Sequence, residues 1–290
     1  MNKIPLIIDT DFTKDDIIAL KMLADSGRYD IKAITCYGEW FVETVALRND
    51  MGLDCPVCWG AMKPLFRPEL SENIYGNTSP DIAERVRIED KDEQYPWDTI
   101  CTEAEKAEGA LEIVTLGPVT NIALTLLRYP QIKPLIKRIF CFAGTGGAGN
   151  IAPYSEYNAY ADPHGLKMLF DSGIEVVMCG LDAVQHCVMD AEETAQVVAA
   201  NPQLKPLLAY TMYETERKAA APSAAAVCCY MHPDAVPKKD FYVAVETGSP
   251  LTMGQTVVDR LGKYKRAANV TVVTASCPKI FKDSLKSITI

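Results

Sequence analysis

The sequence predicts an α/β protein with a central, mostly parallel sheet whose two faces are covered by helices. Short apolar runs alternate along the chain with stretches of helical periodicity. The runs are continuously apolar, which is typical of strands buried on both faces of a sheet. Parallel neighbours need long crossover connections, and the helical stretches supply them. No repeat, low-complexity tract or linker interrupts the 290 residues, so we expect a single domain over residues 1–290.

Strands and helices alternate in the order that such a sheet requires. Apolar runs predict strands at residues 4–8, 31–36, 57–59, 111–116, 139–143 and 175–178. Apolar residues at helical spacing predict helices at about 15–24, 42–51 and 121–127. Residues 66–100 are polar and Pro-rich, and we expect a long surface excursion near the open end of the sheet, where α/β folds place their sites. The alternative is a solvated insertion without a function.

The chain is acidic and otherwise of ordinary globular composition. It is 48% hydrophobic and 23% charged, and its 29 Lys and Arg against 38 Asp and Glu give a formal charge of −9. Such a chain repels phosphate groups, which argues against nucleic acid and anionic membranes as partners. No stretch approaches the roughly 20 apolar residues that span a bilayer. The apolar run near the start is too short for a signal peptide, so we expect a cytoplasmic protein.

The ten cysteines are scattered along the chain, and several stand inside apolar runs. This pattern indicates buried thiols in a reducing compartment. Cys55 and Cys58 form a C-x-x-C pair, which raises a redox or zinc interpretation. No second pair follows at zinc spacing, and the segment has the character of a strand, so we favour a structural role.

Four aspartates, Asp9, Asp11, Asp15 and Asp16, crowd the turn between the first predicted strand and helix. Like charges this close raise one another's pKa, so a positive charge must compensate them. A hard divalent cation with oxygen ligands, Ca²⁺ or Mg²⁺, does so best. Helix capping is the alternative, and it accounts for one or two of the four carboxylates. The segment therefore predicts a metal site at the end of the first strand.

A second polar cluster contains Asn150, Glu156 and Asn158 and follows a strand and a Gly-rich stretch. Two amides and a carboxylate on one loop suit a polyol, because they both donate to and accept from hydroxyl groups. Ordinary turn chemistry of Asn and Gly is the alternative. The Gly-rich stretch lacks the Gly-Lys-Ser/Thr of a phosphate loop and the spacing of a dinucleotide fingerprint.

Together these motifs resemble the nucleoside hydrolase family, the calcium-dependent nucleoside N-ribohydrolases. The aspartate pattern D-T-D-x-x-x-D-D at residues 9–16 resembles the family signature. Three further segments match family motifs in the family's order, namely residues 116–123 (LGPVTNIA), 149–158 (GNIAPYSEYN) and 245–256 (VETGSPLTMGQT). The resemblance covers nearly the whole chain. It implies an α/β fold with one open parallel sheet and hydrolysis of a ribonucleoside to ribose and free base.

The resemblance also implies which residues bind the metal. Asp11 and Asp16 would bind Ca²⁺ through their carboxylates, and Leu116 through its backbone carbonyl. Asp11 would in addition be the catalytic residue that orients and deprotonates the attacking water. The water attacks the anomeric carbon while the N-glycosidic bond lengthens through an oxocarbenium-like state.

The resemblance implies a sugar subsite as well. Asp15, Asn150, Glu156 and Asn158 would bind the ribose hydroxyls, and the carboxylates among them would stabilise the positive charge of the sugar. For the nucleoside substrate, the family further implies a role in purine or pyrimidine salvage and a homodimer or homotetramer.

The sequence departs from the family pattern at the last metal ligand. The family has a His-Asp pair before an apolar helix, and a gapless count places Pro222 and Ser223 there. A Ser hydroxyl carries no charge, so Ser223 would be a weaker Ca²⁺ ligand. The pair His232 and Asp234 is a shifted alternative, but it requires a slip of about three helical turns. We expect His232 and Asp234 to cap the end of that helix.

A second departure concerns the residues around the base. The family has Asn where this chain has Glu39, which we expect to contact the sugar or base, while Trp40 and Phe41 either stack on the base or pack. The candidates for the proton donor to the leaving base are Glu39, Tyr75, Tyr210 and Tyr213. Two hypotheses follow: a ribonucleoside hydrolase with an altered substrate range, or a non-catalytic nucleoside- or ribose-binding protein on the same scaffold. The intact aspartate cluster favours the hydrolase.

Overall fold

A computed structural model describes residues 3–66, 86, 88–210 and 218–288. Its strands are β1 (Ile4–Thr10), β2 (Tyr29–Cys36), β3 (Val57–Trp59), β4 (Leu111–Thr115), β5 (Ile136–Phe142), β6 (Val176–Cys179), β7 (Val188–Met189), β8 (Ala209–Tyr210), β9 (Ala219–Ala220), β10 (Lys238–Phe241), β11 (Val243–Val245), β12 (Thr256–Val258) and β13 (Val270–Val273). Its helices are α1 (Lys14–Asp25), α2 (Phe41–Asp50), α3 (Pro96–Ala107), α4 (Thr120–Arg128), α5 (Tyr157–Ala161), α6 (Pro163–Phe170), α7 (Leu181–Val184), α8 (Ala191–Ala200), α9 (Pro222–Met231) and α10 (Pro278–Ser287).

An eight-stranded sheet forms the centre of the protein, in the order β10-β13-β6-β5-β4-β1-β2-β3. Seven of its strands, β13 included, run parallel to one another, and only the edge strand β10 is antiparallel to its neighbour β13. The prediction of a mostly parallel sheet is therefore confirmed. Two small sheets, β11-β12 and β7-β9-β8, complete the described strands.

Helices cover both faces of the sheet, as continuously apolar strands require. Neighbouring residues of β1 enter opposite layers of the core: Leu6 and Ile8 belong to one cluster and Ile7 to the other. The first cluster includes apolar residues of α1 and α9, and the second includes those of α3, α4 and α6. The alternation follows from the period of two along a strand.

The centre of the sheet determines where the functional residues meet. Strand β1 lies between β2 and β4, and Asp9 pairs in register with Thr35 and Thr115. All three strands are parallel, so their carboxyl ends open at one edge. The segments that follow them carry the acidic turn, residues 37–40 and the loop that begins at Leu116.

The predicted elements agree with the structure to within a few residues, with one clear correction. Within residues 66–100, residues 67–85 and 87 lie outside the described part of the chain. The remainder is not simply a polar excursion, because α3 begins at Pro96 and Ile100 is fully buried. Asp92 is also buried, in a two-pronged ion pair with Arg48 at 3.0 Å. The polar composition of this segment did not indicate burial, because the charge of Asp92 is paired with Arg48, which is distant in the sequence.

The cysteines are all free thiols, and each is buried apart from the partly exposed Cys277. Cys55 and Cys58 are buried, and the Cys58 thiol donates to the Thr99 hydroxyl at 3.3 Å. The prediction of buried thiols is confirmed for nine of the ten cysteines, all except Cys277. Among the described helices, none has the length and apolar composition needed to cross a membrane.

Candidate active site

The acidic turn begins where β1 ends. Asp11 follows the last strand residue, and Phe12 then adopts a left-handed backbone conformation with φ of 58° that turns the chain into α1. Such a conformation is unusual for a residue other than Gly, and residues strained in this way cluster at functional sites. Asp15 and Asp16 stand in the first turn of α1, where the helix dipole favours negative charge. All three carboxylates are buried.

Hydroxyl groups hold Asp16 in place. The Thr10 hydroxyl donates to Asp16 at 2.6 Å, and the Thr13 hydroxyl lies 2.9 Å from Asp16 and 3.1 Å from Asp15. These contacts fix the start of α1 against the end of β1. They also leave the carboxylates at the carboxyl end of β1, where we predicted them.

Asp9 has a different surrounding from the other three aspartates. It accepts hydrogen bonds from the Thr35 hydroxyl and from the Asn121 amide, the latter at 2.8 Å. Asn121 donates in addition to the Cys36 carbonyl at 2.9 Å, so it ties α4 to the ends of β1 and β2. Asp9 thus connects β1 to β2 and to α4. The sequence analysis did not single out Thr35 or Asn121, although Asn121 lies within the motif at residues 116–123.

Asp11 faces Asp16, and one of its carboxylate oxygens has no hydrogen-bond partner among the described residues, as is also true of Asp9 Oδ2. The Oδ1 atom of Asp11 is buried, and no described hydrogen bond satisfies it. Burial raises the pKa of Asp11 well above its usual value, and the charges of Asp16, Asp15 and Glu156 raise it further. A buried, unsatisfied carboxylate is costly. The arrangement therefore has the character of a site that a cation or a polar ligand completes.

The loop before α5 brings Glu156 to the same region. Its carboxylate accepts from the backbone amides of Gly144 at 2.8 Å, Asn158 at 2.8 Å and Ala159 at 3.1 Å, and it caps the amino end of α5. Burial nevertheless raises the pKa of Glu156 to about 7. Glu156 is close enough for its charge to act on Asp11, as the prediction of one combined site requires.

Asn158 and Asn150 have different roles in the structure. The Asn158 amide donates to the Leu116 carbonyl at 2.7 Å and to the Phe142 carbonyl at 2.8 Å, so both of its N–H groups are used. Asn150 is exposed, and its side-chain oxygen accepts from the Tyr157 amide at 2.9 Å. Asn158 thus positions the backbone of Leu116.

Gly117 allows the loop after β4 to approach the acidic turn closely. A Cβ atom at this position would lie 2.9 Å from both the Cβ and the backbone nitrogen of Asp11. Leu116 directly precedes this glycine, and its backbone N–H donates to the Asp9 carbonyl at 2.8 Å. Only Gly permits this approach without a shift of the backbone.

We expect Gly117→Ala to lower the free energy of unfolding by about 1–3 kcal/mol, because the added methyl group overpacks against Asp11. Urea unfolding measures the effect. Gly147→Ala is the matched control, since an added Cβ at Gly147 meets atoms only at 3.8 Å or more. Equal stability of the two variants would contradict the close packing described here.

Ser223, at the start of α9, lies against the acidic turn. Its backbone amide donates to Asp15 Oδ2 at 2.7 Å, across 208 residues of sequence. Its hydroxyl group faces Asp15 and Asp16 and moderates the rise in pKa that burial causes in both. His232 is the C-terminal cap of α9, at the opposite end of the helix from Ser223. The shifted pair of His232 and Asp234 is therefore wrong as a site.

Some predicted residues do not join this cluster. Glu39 is exposed in the turn before α2, and no described hydrogen bond links it to the aspartates. Trp40 stacks on Phe12 with ring centroids 6.2 Å apart, and Phe41 stacks on Trp59 at 5.7 Å. Tyr75 and Tyr213 lie outside the described residues, as does the side chain of Tyr210.

The acidic cluster predicts how stability depends on pH. Burial raises the pKa of Asp9 to about 7 and that of Asp16 to about 6, from 3.8. Between pH 3.8 and these raised pKa values, the two carboxyl groups bind more protons in the folded state than in the unfolded state. The metal-free protein is therefore expected to lose stability as pH rises from about 4 to about 7. Melting temperatures across this range measure it.

Asp9→Asn provides the control for this prediction. It keeps an acceptor for Thr35 and Asn121 and removes a charge, so the variant should be more stable than the wild type at pH 7 and show a shallower slope. A wild-type melting temperature that rises from pH 4 to 7 without metal would contradict the prediction.

The donor set suits a hard cation. Asp11 offers an unsatisfied oxygen and faces the Asp16 carboxylate, and the Leu116 carbonyl belongs to the loop that approaches Asp11 at Gly117. Oxygen donors of this kind are typical of Ca²⁺ or Mg²⁺. In the described ranges no three His, Cys, Asp or Glu side chains are grouped to hold a metal.

The fold and site define an α/β protein with a buried cluster of carboxylates at the carboxyl ends of the central parallel strands. Residues 6–283 match the model of the family described as inosine-uridine preferring nucleoside hydrolase. The chain belongs to this family, whose members are metal-dependent enzymes that cleave N-glycosidic bonds. The resemblance inferred from the motifs is confirmed.

Curated relatives and solved structures agree with this assignment. The chain is 32% identical over 285 residues to the non-specific ribonucleoside hydrolase RihC of Shigella flexneri serotype 5b, with 93% of each chain covered. It is 31% identical over 284 residues to RihC of Escherichia coli O127:H6, with the same coverage. A plant nucleoside hydrolase, PpNRh1, shares the fold with a TM-score of 0.84 at 20% identity, covering 98% of both chains. A purine-preferring ribonucleoside hydrolase from Gardnerella vaginalis gives a TM-score of 0.75 at 22% identity, covering 97% of this chain and 96% of its own.

Proposed function

We propose that this protein hydrolyses the N-glycosidic bond of ribonucleosides, with Asp11 as the residue that accepts the proton of the attacking water. The observation that carries the proposal is the buried Asp11 carboxylate, whose Oδ1 atom has no described hydrogen bond and which lies among the charges of Asp15, Asp16 and Glu156. The family and the ribonucleoside hydrolases among its relatives support the same reaction.

We propose that the sugar binds between the acidic turn and the loop before α5. Asp15 would accept hydrogen bonds from ribose hydroxyls, with Asn150, Glu156 and Asn158 opposite. The negative charges of Asp15 and Glu156 would stabilise the positive charge that develops on the sugar ring as the base departs. The base would leave toward the side on which Glu39 stands.

The proposed metal is Ca²⁺. Asp11, Asp16, the Leu116 carbonyl and the Ser223 hydroxyl would hold it. When bound, it supplies positive charge that offsets the buried carboxylates and makes a nearby water more acidic. The protein's own part is to orient that water toward the anomeric carbon and to take its proton on Asp11.

The proton donor to the leaving base is proposed to be one of Glu39, Tyr75, Tyr210 and Tyr213. Pro222 stands where the family has His, and Pro cannot donate a proton. We further propose a single domain over residues 1–290, a homodimer or homotetramer, a cytoplasmic location and a role in nucleoside salvage.

A nucleoside panel tests the reaction. Purified protein is incubated with purine and pyrimidine ribonucleosides and Ca²⁺, and free ribose is measured. We expect release of ribose from at least one ribonucleoside and its loss on removal of metal with a chelator. If calorimetry shows ribonucleoside binding by folded protein but no ribose forms, the non-catalytic alternative replaces the proposal.

A further inference from the structure

The motif at residues 245–256 belongs to a hairpin that packs on the proposed sugar subsite. Its strands β11 and β12 are antiparallel and form a small sheet outside the central one. Backbone hydrogen bonds order the connection between them: Glu246 donates to the Gln255 carbonyl at 2.9 Å, and Gly254 donates to the Glu246 carbonyl at 2.8 Å. The proposed metal and sugar ligands all come from other segments, so any part that the hairpin has in the reaction is indirect.

The hairpin contacts the chain on both sides of Glu156. Before it, Ser155 is buried, and its hydroxyl donates to the Met253 carbonyl at 2.5 Å. After it, the hairpin backbone lies directly against α5, because a Cβ atom at Gly254 would be only 2.6 Å from the Tyr160 Cα. These two contacts fix the ends of the segment that carries the carboxylate.

Thr256 makes a third contact with a single hydroxyl group. This hydroxyl accepts from the Thr145 amide at 2.9 Å and donates to the Thr145 carbonyl at 2.8 Å. Both residues are buried. A buried backbone amide or carbonyl that loses its partner is costly. The Thr256 hydroxyl therefore holds the backbone at Thr145 in one conformation.

Gly144 connects Thr256 to Glu156. It directly precedes Thr145, and its N–H donates to Glu156 Oε2 at 2.8 Å. Its φ of 75° lies in the left-handed region that favours glycine. An added Cβ would be 2.6 Å from both Oγ1 and Cγ2 of Thr256. Gly144 thus contacts Thr256 and the Glu156 carboxylate at once, so a change at one is felt at the other.

We propose that Thr256 is a positioning residue of the reaction, which keeps the Gly144 N–H bonded to Glu156. This inference rests on the proposed function for the role of Glu156 at the sugar. A carboxylate that stabilises charge on the sugar acts best when it is oriented before the substrate binds. Of the three amides that Glu156 accepts from, those of Asn158 and Ala159 belong to α5, and only that of Gly144 comes from another segment. Thr256 therefore controls the one amide that fixes Glu156 from outside its own helix.

Thr256→Val removes the hydroxyl at nearly constant shape. We expect kcat/KM for ribonucleoside hydrolysis to fall about 10–100-fold, because small displacements of a group that acts on the transition state are costly. Thr256→Ser restores the hydroxyl and should recover most of the activity, to within about threefold of the wild type. Folded Thr256→Val with wild-type activity overturns the proposal, as does Thr256→Ser that is as weak as Thr256→Val.

Thr99→Val is the matched control. Thr99 is a buried threonine of α3, and its hydroxyl also makes two hydrogen bonds, to Gln94 at 3.0 Å and with the Cys58 thiol at 3.3 Å. We expect this variant to hydrolyse ribonucleosides at the wild-type rate. A loss equal to that of Thr256→Val overturns the proposal, because any buried threonine would then have the same effect.

A double-mutant cycle separates positioning from general packing. Thr256→Val is introduced again into Glu156→Gln, in which the carboxylate to be positioned is absent. If Thr256 acts through Glu156, the second change should lower kcat/KM by less than about threefold in this background. Full additivity of the two changes would show that Thr256 supports the fold rather than Glu156, and it overturns the proposal.

Amide hydrogen exchange tests the same contacts without turnover. The amides of residues 144–158 should exchange faster in Thr256→Val than in the wild type, and Thr256→Ser should not show this increase. Unchanged exchange in Thr256→Val overturns the proposal. Exchange decides the question also if the wild type forms no ribose, a result that contradicts the proposed function alone.

Ser155→Ala replaces Thr256→Val if the latter does not fold. It removes the hydrogen bond to the Met253 carbonyl and leaves Thr256 in place. We expect faster exchange of residues 144–158 and a kcat/KM at least about threefold lower than in the wild type. Wild-type behaviour in both measurements overturns the proposal.

Discussion

Asp11→Asn is expected to lower ribonucleoside hydrolysis by about 10³-fold, because it removes the group proposed to accept the proton of the attacking water. The variant should remain folded. Asn has the shape of Asp, and one buried charge disappears from a cluster in which Asp15, Asp16 and Glu156 already raise the pKa of Asp11. The metal-free melting temperature at pH 7 should therefore not fall.

Initial rates of ribose release measure this effect, and Asp25→Asn is the control. Asp25 ends the same helix that Asp15 and Asp16 begin, but it is exposed, and its only described ion pair is a weak one with Lys21 at 3.7 Å. We expect this control to hydrolyse ribonucleosides at the wild-type rate. Substantial activity in folded Asp11→Asn would show that another group takes the proton.

Ser223→Asp is expected to tighten Ca²⁺ binding at least about tenfold, since it adds a carboxylate beside Asp16 and affinity in oxygen-donor sites follows the number of charged ligands. The same change should destabilise the metal-free protein. Ser223 is buried, and a new charge there meets Asp15 and Asp16 without compensation. Calorimetry with Ca²⁺ and melting curves with and without Ca²⁺ measure the two effects.

Ser223→Asn separates charge from size in this experiment. It has nearly the shape of Asp and keeps the backbone amide that donates to Asp15, but it brings no charge. We expect it to bind Ca²⁺ about as the wild type does. If Ser223→Asp and Ser223→Asn bind Ca²⁺ equally well, Ser223 does not stand next to the ion.

Much of the fold followed from local patterns. Continuously apolar runs predicted the central strands, and β1, β2 and β4 lie within a few residues of their predicted bounds. The strands in the later part of the chain were harder to predict from the sequence. Strands such as β7 and β9 have only two residues each and exist through their partners in the small sheet. A run this short carries no periodicity, so sequence reasoning could not find it.

The site shows the same division between local and distant information. The acidic turn was recognisable because its four carboxylates lie within eight residues and their repulsion requires an explanation. The anchoring of Asp9 was not recognisable. Thr35 and Asn121 reach it from 26 and 112 residues away, and nothing in either local sequence indicates that partner. Only the register of β1 against its neighbours brings them together.

The sequence by itself determined the class of this protein, its family motifs and the acidic turn, because spacing along the chain encodes which residues end a strand or begin a helix. The tertiary structure decided which carboxylate oxygens are hydrogen-bonded and which, such as Oδ1 of Asp11, are left unsatisfied. It also decided that the Ser223 backbone amide donates to Asp15 across 208 residues of sequence. These are contacts between elements, and their distances depend on how the helices pack on the sheet rather than on any local pattern.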